Sequence, residues 1–399
     1  MNKLNKKIFG TLFFSIFATV TGVGIVVPLL PVYAHNLGAS GIYIGLIFGV
    51  FSLSRTLFLP YFGSLSDKKG RKPFIVAGLF FYSLISFAFL LADNVQSLII
   101  IRFFQGISSA MMMPVILAYV GDITPANREG LTMGLFNMSM FFGLSLGPLI
   151  GGALKDRFNL DASFICMGLL AFTGFLLSIC LLPPKSSEKI IQSKEKPANW
   201  KQLLKDKNIA GLFTFRFSYA ACIGVIWGFL PVFASSKFLL SSSSIGILVM
   251  TGVFVSGSLH VPMGYLADRF NKKAMVVIGG LIISLALCSF VWAGSFRDLF
   301  LANVFFGLGG GISVSALMAM AILKGNKTKA MGSVMGLMTM AHSMGMMMGS
   351  IFAGLMMDAF DLRLAFPFGA IIMLLGVVLF FIFTYKKKIE TPSIITQEG

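Results

Sequence analysis

The chain has 399 residues, of which 56% are hydrophobic and only 12% charged, with a mean hydropathy of +0.88. No water-soluble core needs that much apolar surface, so a soluble fold is excluded and the bilayer has to serve as part of the solvent. The formal net charge of +17 would suit a nucleic-acid partner, but it is dealt out between apolar segments, which argues against one.

Taken in chain order, the apolar segments fall at roughly 8–34, 40–63, 74–92, 97–121, 130–154, 162–183, 208–235, 243–265, 274–294, 298–322, 330–356 and 363–385. Most exceed the ~20 residues that cross ~30 Å of hydrocarbon. They have to be helices, because lipid offers no partner to an unpaired backbone N–H. The first follows Lys3, Lys6 and Lys7 in the manner of a secretory signal. Its apolar run is too long for one and no small-residue cleavage site closes it, so it counts as a span. Its interior polar groups are Ser15, Thr19 and Thr21.

Span 2 carries Arg55, and span 4 carries Arg102 with Gln105 one turn on, at nearly the same face. A guanidinium in the hydrocarbon zone costs at least ~2.5–3.5 kcal/mol unless it meets water or a partner. Span 5 holds Gly143, Gly147, Pro148, Gly151 and Gly152. Glycines four apart make a smooth stripe for a neighbouring helix, and the proline removes one helical hydrogen bond. Residues 184–207 form the long polar linker, in which the stretch from Trp200 to Leu204 fits either a short amphipathic surface helix or a plain loop. Span 7 carries Arg216, span 8 carries His260 near its end, and span 11 carries His342 among eight methionines. Methionine repacks around ligands of varied shape, although these go all round the helix and ordinary packing accounts for most. Cys166, Cys180, Cys222 and Cys288 lie in spans with no metal-ligand spacing and read as small buried apolar residues, so no metal site is expected.

The chain reads twice. Gly63-Ser-Leu-Ser-Asp67-Lys-Lys-Gly70-Arg71-Lys72 returns about 201 residues later as Gly264-Tyr-Leu-Ala-Asp268-Arg-Phe-Asn271-Lys272-Lys273. Leu30–Ala34 matches Leu230–Ala234, Ile44-Gly45 matches Ile245-Gly246, Gly147 matches Gly349, and Asp156 matches Asp358. An offset held through both halves indicates duplication. Gly70 permits the left-handed turn of a very short connection, and Asn271 is the other residue type that tolerates that conformation.

With the N-terminus taken as cytoplasmic, alternate loops collect 24 Lys and Arg on that side and five on the other. That asymmetry places both termini in the cytoplasm by the positive-inside rule.

These residues carry a resemblance to the major facilitator superfamily, and within it to the twelve-span drug:proton antiporters, over nearly the whole length. Three patterns carry it: Gly63-x-Leu-x-Asp67-x-x-Gly70-Arg71-Lys72, Leu98-x-x-x-Arg102-x-x-Gln105-Gly106, and Gly143-x-x-x-Gly147-Pro148-x-x-Gly151-Gly152. The resemblance implies a cytoplasmic gate of Asp67, Gly70, Arg71 and Asp122. In it Asp67 lies against the N-terminus of span 11, where a helix dipole favours a carboxylate, and Arg71 pairs with Asp122. It implicates Arg102 in proton transfer; the alternative is that Arg102 merely bonds helix carbonyls near the outer end of span 4. By the same likeness spans 1, 4, 7 and 10 line the cavity, which offers Thr21, Met112, Tyr219, Trp227 and Ser313 as substrate contacts.

The pattern fails at one point. Many drug:proton antiporters place a carboxylate in the first span, whereas the 15 acidic residues here all fall in loops or at predicted helix ends. The ionisable groups at depth are Arg55, Arg102, Arg216, His260 and His342, so the cavity is neutral to positive. At an effective dielectric of ~20 a like charge at ~4 Å costs about 4 kcal/mol, so substrates are expected to be neutral, zwitterionic or anionic amphiphiles. His342 either carries the coupling proton or bonds a neighbouring helix, with Asp67 and Asp122 as competing acceptors.

The expected fold is all-α and polytopic, with a six-helix bundle over 1–183, a cytoplasmic linker over 184–207 and a second bundle over 208–399, related by pseudo-twofold symmetry. The expected function is proton-coupled export of small amphipathic compounds by alternating access. Export of a specific metabolite, sugar or lipid-like solute on the same fold is the alternative. The energy source is a proton gradient with no cofactor, the partners are a small-molecule substrate and the lipid bilayer, and a monomer in the inner membrane is expected. Three scattered histidines offer no nucleophile–base pair or metal cluster, which argues against an enzyme.

Overall fold

In the computed structural model, which describes residues 3–124, 129–183, 203–328 and 330–385, twelve helices are long and apolar enough to cross a membrane. They are α1 (Lys3–Asn36), α2 (Gly41–Lys69), α3 (Arg71–Ala88), α4 (Val95–Asp122), α5 (Glu129–Arg157) and α6 (Leu160–Leu181), then α7 (Lys207–Phe238), α8 (Ser242–Arg269), α9 (Lys272–Ser289), α10 (Phe296–Thr328), α11 (Met331–Ala359) and α12 (Ala365–Thr384). Among the described residues there is no strand. Several helices outrun their apolar segments: α2 continues to Lys69 and α10 to Thr328. Hydropathy marks only the part in lipid, while a nucleated helix extends into water with little further cost. The stretch 200–204 lies mostly outside the described residues.

Successive helices run antiparallel, so the described parts of the basic loops gather at one end, called the basic end below, and the other loops at the far end. Connections are short because caps stop the helices sharply. Asn94 accepts from the Ser97 N–H at 2.8 Å, Asn159 from the Ala162 N–H at 2.8 Å, and Asp206 from the Asn208 N–H at 2.9 Å. Gly70 has φ +96°, the left-handed backbone expected of it. Asn271 departs from expectation. It has φ −66° and caps α9 through its side chain, accepting from the Lys273 N–H at 3.0 Å. Asparagine offers a capping oxygen that glycine lacks, so the two copies solve the same turn differently.

Packing groups α1–α6 together and α7–α12 together. The two groups share their internal clasps at the repeat offset. Ser83 donates to the Gly168 carbonyl at 3.0 Å, and Ser284 to the Ala370 carbonyl at 2.9 Å. Lys72 donates to the last carbonyls of α6, with Ile179 at 2.9 Å, while Lys273 donates to Thr384 at the end of α12. Cations there suit the negative end of the helix dipole. Between the groups, α2 packs on α11 and α5 on α8, with α1 touching α7. Of the four cysteines only Cys222 is fully buried and Cys180 is exposed, so the buried expectation fails for Cys180, which lies on an outward face of α6.

Candidate functional site

The two halves meet through glycine. On α2, a methyl added at Gly41 or Gly45 would overlap the Gly354 or Ser350 carbonyl of α11, and at Gly49 it would lie 3.3 Å from the Met347 side chain. On the other side of the molecule, Gly152 of α5 meets the Ser242 carbonyl of α8, and Gly246 of α8 meets the Pro148 carbonyl. Backbone lies against backbone, which only residues without a Cβ allow. This seam occupies the far end. At the basic end the added methyl at Gly63, Gly264 or Gly332 would meet nothing within 4 Å.

Two carboxylates fasten the seam. Asp358, at the end of α11, accepts from the Gly41 N–H and, at 2.9 Å, from the Ile42 N–H, the first two amides of α2. Asp156, at the end of α5, accepts from the Ser242 N–H at 3.0 Å and the Ser243 N–H at 2.7 Å, the first two amides of α8. Each carboxylate thus sits on the positive end of a helix from the other half, where it satisfies amides that the helix cannot. With the Ser350 hydroxyl donating to the Gly45 carbonyl at 3.0 Å, these are the inter-half hydrogen bonds whose two partners are both described, and all lie toward the far end. Sequence reading paired Asp156 with Asp358 and gave neither a role. Their shared position just beyond a glycine-rich span was the available signal.

At the basic end, Arg71 donates through Nε to Asp122 at 3.1 Å, to the Ser66 hydroxyl at 2.9 Å, and to Asp67. All of these belong to one half. The Asp67 side chain is 56% exposed and makes no hydrogen bond to the start of α11. The expected contact of Asp67 with span 11 is therefore absent in this conformation, because the basic ends of the halves stand apart.

Arg102 points inward and is 5% exposed. Its guanidinium bonds the Ile47 carbonyl of α2 at 3.2 Å and Gln105 at 2.7 Å, and lies 4.1 Å from the Phe51 ring centroid. Asn303, its repeat mate, donates to the Leu248 carbonyl at the corresponding place on α8. Arg102 thus clasps α4 to α2. Gly143, Gly147 and Gly151 press α5 onto α1, with the added methyls 2.9 Å from the Phe17 carbonyl, 2.6 Å from Gly24 Cα and 2.8 Å from the Ile25 carbonyl.

Three of the five expected substrate contacts are enclosed in helix seams. The Thr21 hydroxyl donates to Phe17 at 2.7 Å beneath the α5 glycines, Met112 is 1% exposed under Gly78 of α3, and Ser313 donates to Gly309 at 2.7 Å beneath Gly279 of α9. They face neighbouring helices rather than the interior space, because span number alone does not say which face of a helix looks inward. Tyr219 is nearly buried, stacked on Phe306, and Trp227 is half-buried. Arg55, Arg216 and His342 lie at a similar level on α2, α7 and α11. All are half-buried, and both guanidiniums act electrostatically on the His342 imidazole. His260 instead bonds the Ser256 carbonyl at 2.6 Å and rests on Phe141 of α5, ring centroids 4.6 Å apart. Two apolar grooves of about 440 Å³ lie elsewhere, one between α3 and α6 and one among α7, α11 and α12; neither is lined by Arg55, Arg216 or His342.

The Major Facilitator Superfamily profile matches residues 12–237 and again 212–398. The chain belongs to the major facilitator superfamily. An uncharacterized transporter of this superfamily from Methanocaldococcus jannaschii is 31% identical over 375 residues, covering 93% of this chain and 96% of the relative. The quinolone resistance protein NorA of Staphylococcus aureus is 31% identical over 275 residues, covering 67% of this chain and 68% of that protein. Among solved structures, a bacterial homologue of the human lysosomal transporter Spinster, inward-facing and occupied, superposes with a TM-score of 0.83 at 15% identity, covering 96% of this chain and 97% of that one. The nucleoside transporter NupG gives 0.80 at 15% identity, covering 97% and 100%. At those identities the structural likeness speaks for the superfamily fold alone, and fold and family are those of membrane transporters.

Proposed function

We propose that the protein exports small amphipathic, drug-like compounds across the cytoplasmic membrane in exchange for protons, by alternating access, within the drug:proton antiporter branch of the superfamily. The basic end is placed in the cytoplasm with both termini by the charge asymmetry of the loops, which makes the conformation inward-facing. The observation that carries the reading is the placement of the span-5 stripe. Gly143, Gly147 and Gly151 seat α5 on α1, while Pro148 and Gly152 of the same stripe touch α8 of the other half. The residues matching the antiporter signature therefore form part of the outer door. The likeness to a quinolone resistance protein over two thirds of the chain supports the substrate class.

The absence of a carboxylate partner for Arg55, Arg216 or His342 among the described residues weighs against permanent cations as cargo. Among the described residues His342 makes no hydrogen bond to a neighbouring helix, and its Nδ1 is buried and unpaired; it stands as the proton-carrying candidate, with Asp67 and Asp122 as rivals at the mouth. The test is uptake of a fluorescent quinolone into inverted membrane vesicles energised by an inward-acid pH gradient. Uptake above vesicles lacking the protein, abolished by an uncoupler, is expected. Uptake that ignores the uncoupler removes the proton-coupled reading, and unimpaired exchange in His342→Gln removes the histidine.

A further inference from the structure

We infer that Arg55, Arg216 and His342 together form an anion-binding centre, which takes the oxyanion head of an amphiphile (a carboxylate or phosphate ester on an apolar body) at the inner edge of the outer door. The inference rests on the transporter reading above and deepens it by naming the head group that the interior selects.

The register of the seams brings the three residues to one level. Going inward along the α2–α11 seam, Gly41 meets Gly354, Gly45 meets Ser350 and Gly49 meets Met347. One further turn and a half along these antiparallel helices brings Arg55 level with His342. On the α7–α11 seam, which runs parallel, Gly349 lies over Ala221 and Gly345 over Phe217, so Arg216 comes level with His342 from the other side. The glycine packing stops at this level, and on α2 the next glycine, Gly63, faces open space. The centre therefore lies where the cavity ends against the outer door and draws on both halves, Arg55 from one and Arg216 and His342 from the other.

Among the described residues none of the three makes a hydrogen bond. Arg55 Nε, Arg216 Nε and His342 Nδ1 are buried without a hydrogen-bond partner, as is the Tyr82 hydroxyl. The titratable groups acting on Arg55 and Arg216 are one tyrosine each, Tyr82 and Tyr219, and those acting on His342 are the two arginines. Among the described residues no carboxylate reaches them. Arg216 has a ring partner, Tyr219, 6.0 Å from its guanidinium, but no hydrogen bond among the described residues; Arg102 shows the contrast, because its guanidinium is spent on a carbonyl and an amide. Guanidiniums inside a membrane protein without a counter-charge are costly unless a ligand supplies it. Guanidinium forks are well matched to oxyanions.

The repeat underlines the point. At the matching offset Arg55 is replaced by Ser256, which lies beside the Tyr219 hydroxyl, and Arg216 by Ser15, which bonds Ser178 at 3.0 Å. The centre is thus asymmetric, unlike the clasps, and is not a by-product of the duplicated scaffold.

The experiment measures equilibrium binding of 2-naphthoate and of its cationic counterpart 2-naphthylmethylammonium to the full chain in phosphatidylcholine nanodiscs, with no gradient. Naphthoate is expected to saturate at one site and the cation to show no saturable binding. Arg55→Gln and Arg216→Gln should each weaken naphthoate by about tenfold or more, the loss of a charge-assisted hydrogen bond, and His342→Gln by less. Lys237→Gln, a change at the exposed far end, should have no effect. Removing an unpaired charge should not lower the melting temperature; if either glutamine variant misfolds, Arg55→Lys and Arg216→Lys, which keep the charge, should retain anion over cation preference. Equal binding of the two probes, or naphthoate binding indifferent to both arginine changes, overturns the centre. Competition from phosphatidylglycerol added to the nanodiscs assigns the anion to a lipid head, and its failure to compete assigns it to a soluble amphiphile; either supports the centre. A chain that binds naphthoate this way yet exports nothing against a proton gradient keeps the centre and loses the antiporter reading.

Discussion

Asp156 and Asp358 each reach across the molecule to the first two amides of a helix that they do not belong to. At exposed positions such an interaction is worth about 0.3–1 kcal/mol. Asp156→Asn or Asp358→Asn should therefore move the balance between far-end-closed and far-end-open forms about two- to fivefold toward open, and the double change by about the product. Spin labels at Phe158 and Phe360, exposed residues just beyond each aspartate, report the shift as a longer distance population in double electron–electron resonance. A distance distribution identical to the parent's would dismiss the clasps. Arg102 makes a different claim. Gln105→Leu leaves one arm of its guanidinium unpaired in a buried place, which should cost about 1–2 kcal/mol and lower the melting temperature in detergent. Exchange per folded molecule should be unchanged if the guanidinium is a clasp. At this scale the sequence was half legible. Arg71, Asp122 and the depth of Arg55, Arg216 and His342 could be named from charge in apolar context. Which face of its helix Thr21, Met112 or Ser313 presents could not, since all-apolar spans carry no amphipathic stripe to orient them.

The helices of this fold owe their approach to glycine, and the position of each glycine decides what its loss does. Gly147 lies between α5 and α1 of the same half, so Gly147→Ala should pry that bundle apart and reduce its stability in every conformation. Gly152 meets Ser242 of the other half, a contact belonging to the far-end-closed form alone. Gly152→Ala should leave the melting temperature near the parent's and drive the molecule toward the far-end-open form, seen as a longer distance population between spin labels at Phe158 and Phe360. If both variants simply lose stability, the division into intra-half and inter-half seams fails. The helices themselves were plain in the sequence, since ~20 apolar residues leave few alternatives. Their ends were not, because α2 and α10 run on into water past the last lipid-facing residue, where hydropathy falls silent.

For the whole molecule, the duplication gives two ends that compete for the same freedom. With the far end shut, Asp67 rests on Arg71 of its own half. When the basic ends come together, Asp67 is placed to take up the N-terminus of α11 as Asp358 now takes that of α2. Asp67→Asn should accordingly leave the present form intact and disfavour its opposite, a shift contrary in sign to that of Asp156→Asn. Distances across both ends, measured in the same samples, check it, and shifts of equal sign would refute a see-saw. The repeat offset foretold the paired architecture. It did not foretell which end was closed, because both arrangements use the same residues.

The outer door has one more consequence. Along α2 the glycine contacts run from Gly41 to Gly49, about 12 Å of backbone against backbone with no room for a file of water. With the space below open to solution at the basic end, nearly the whole membrane voltage would drop across that thin dry plug. Arg55, Arg216 and His342 lie at its lower edge. When the door opens and the plug re-forms beneath them, their charges and any ionic cargo cross the electric field without travelling far, at about 2.3 kcal/mol per charge for each 100 mV.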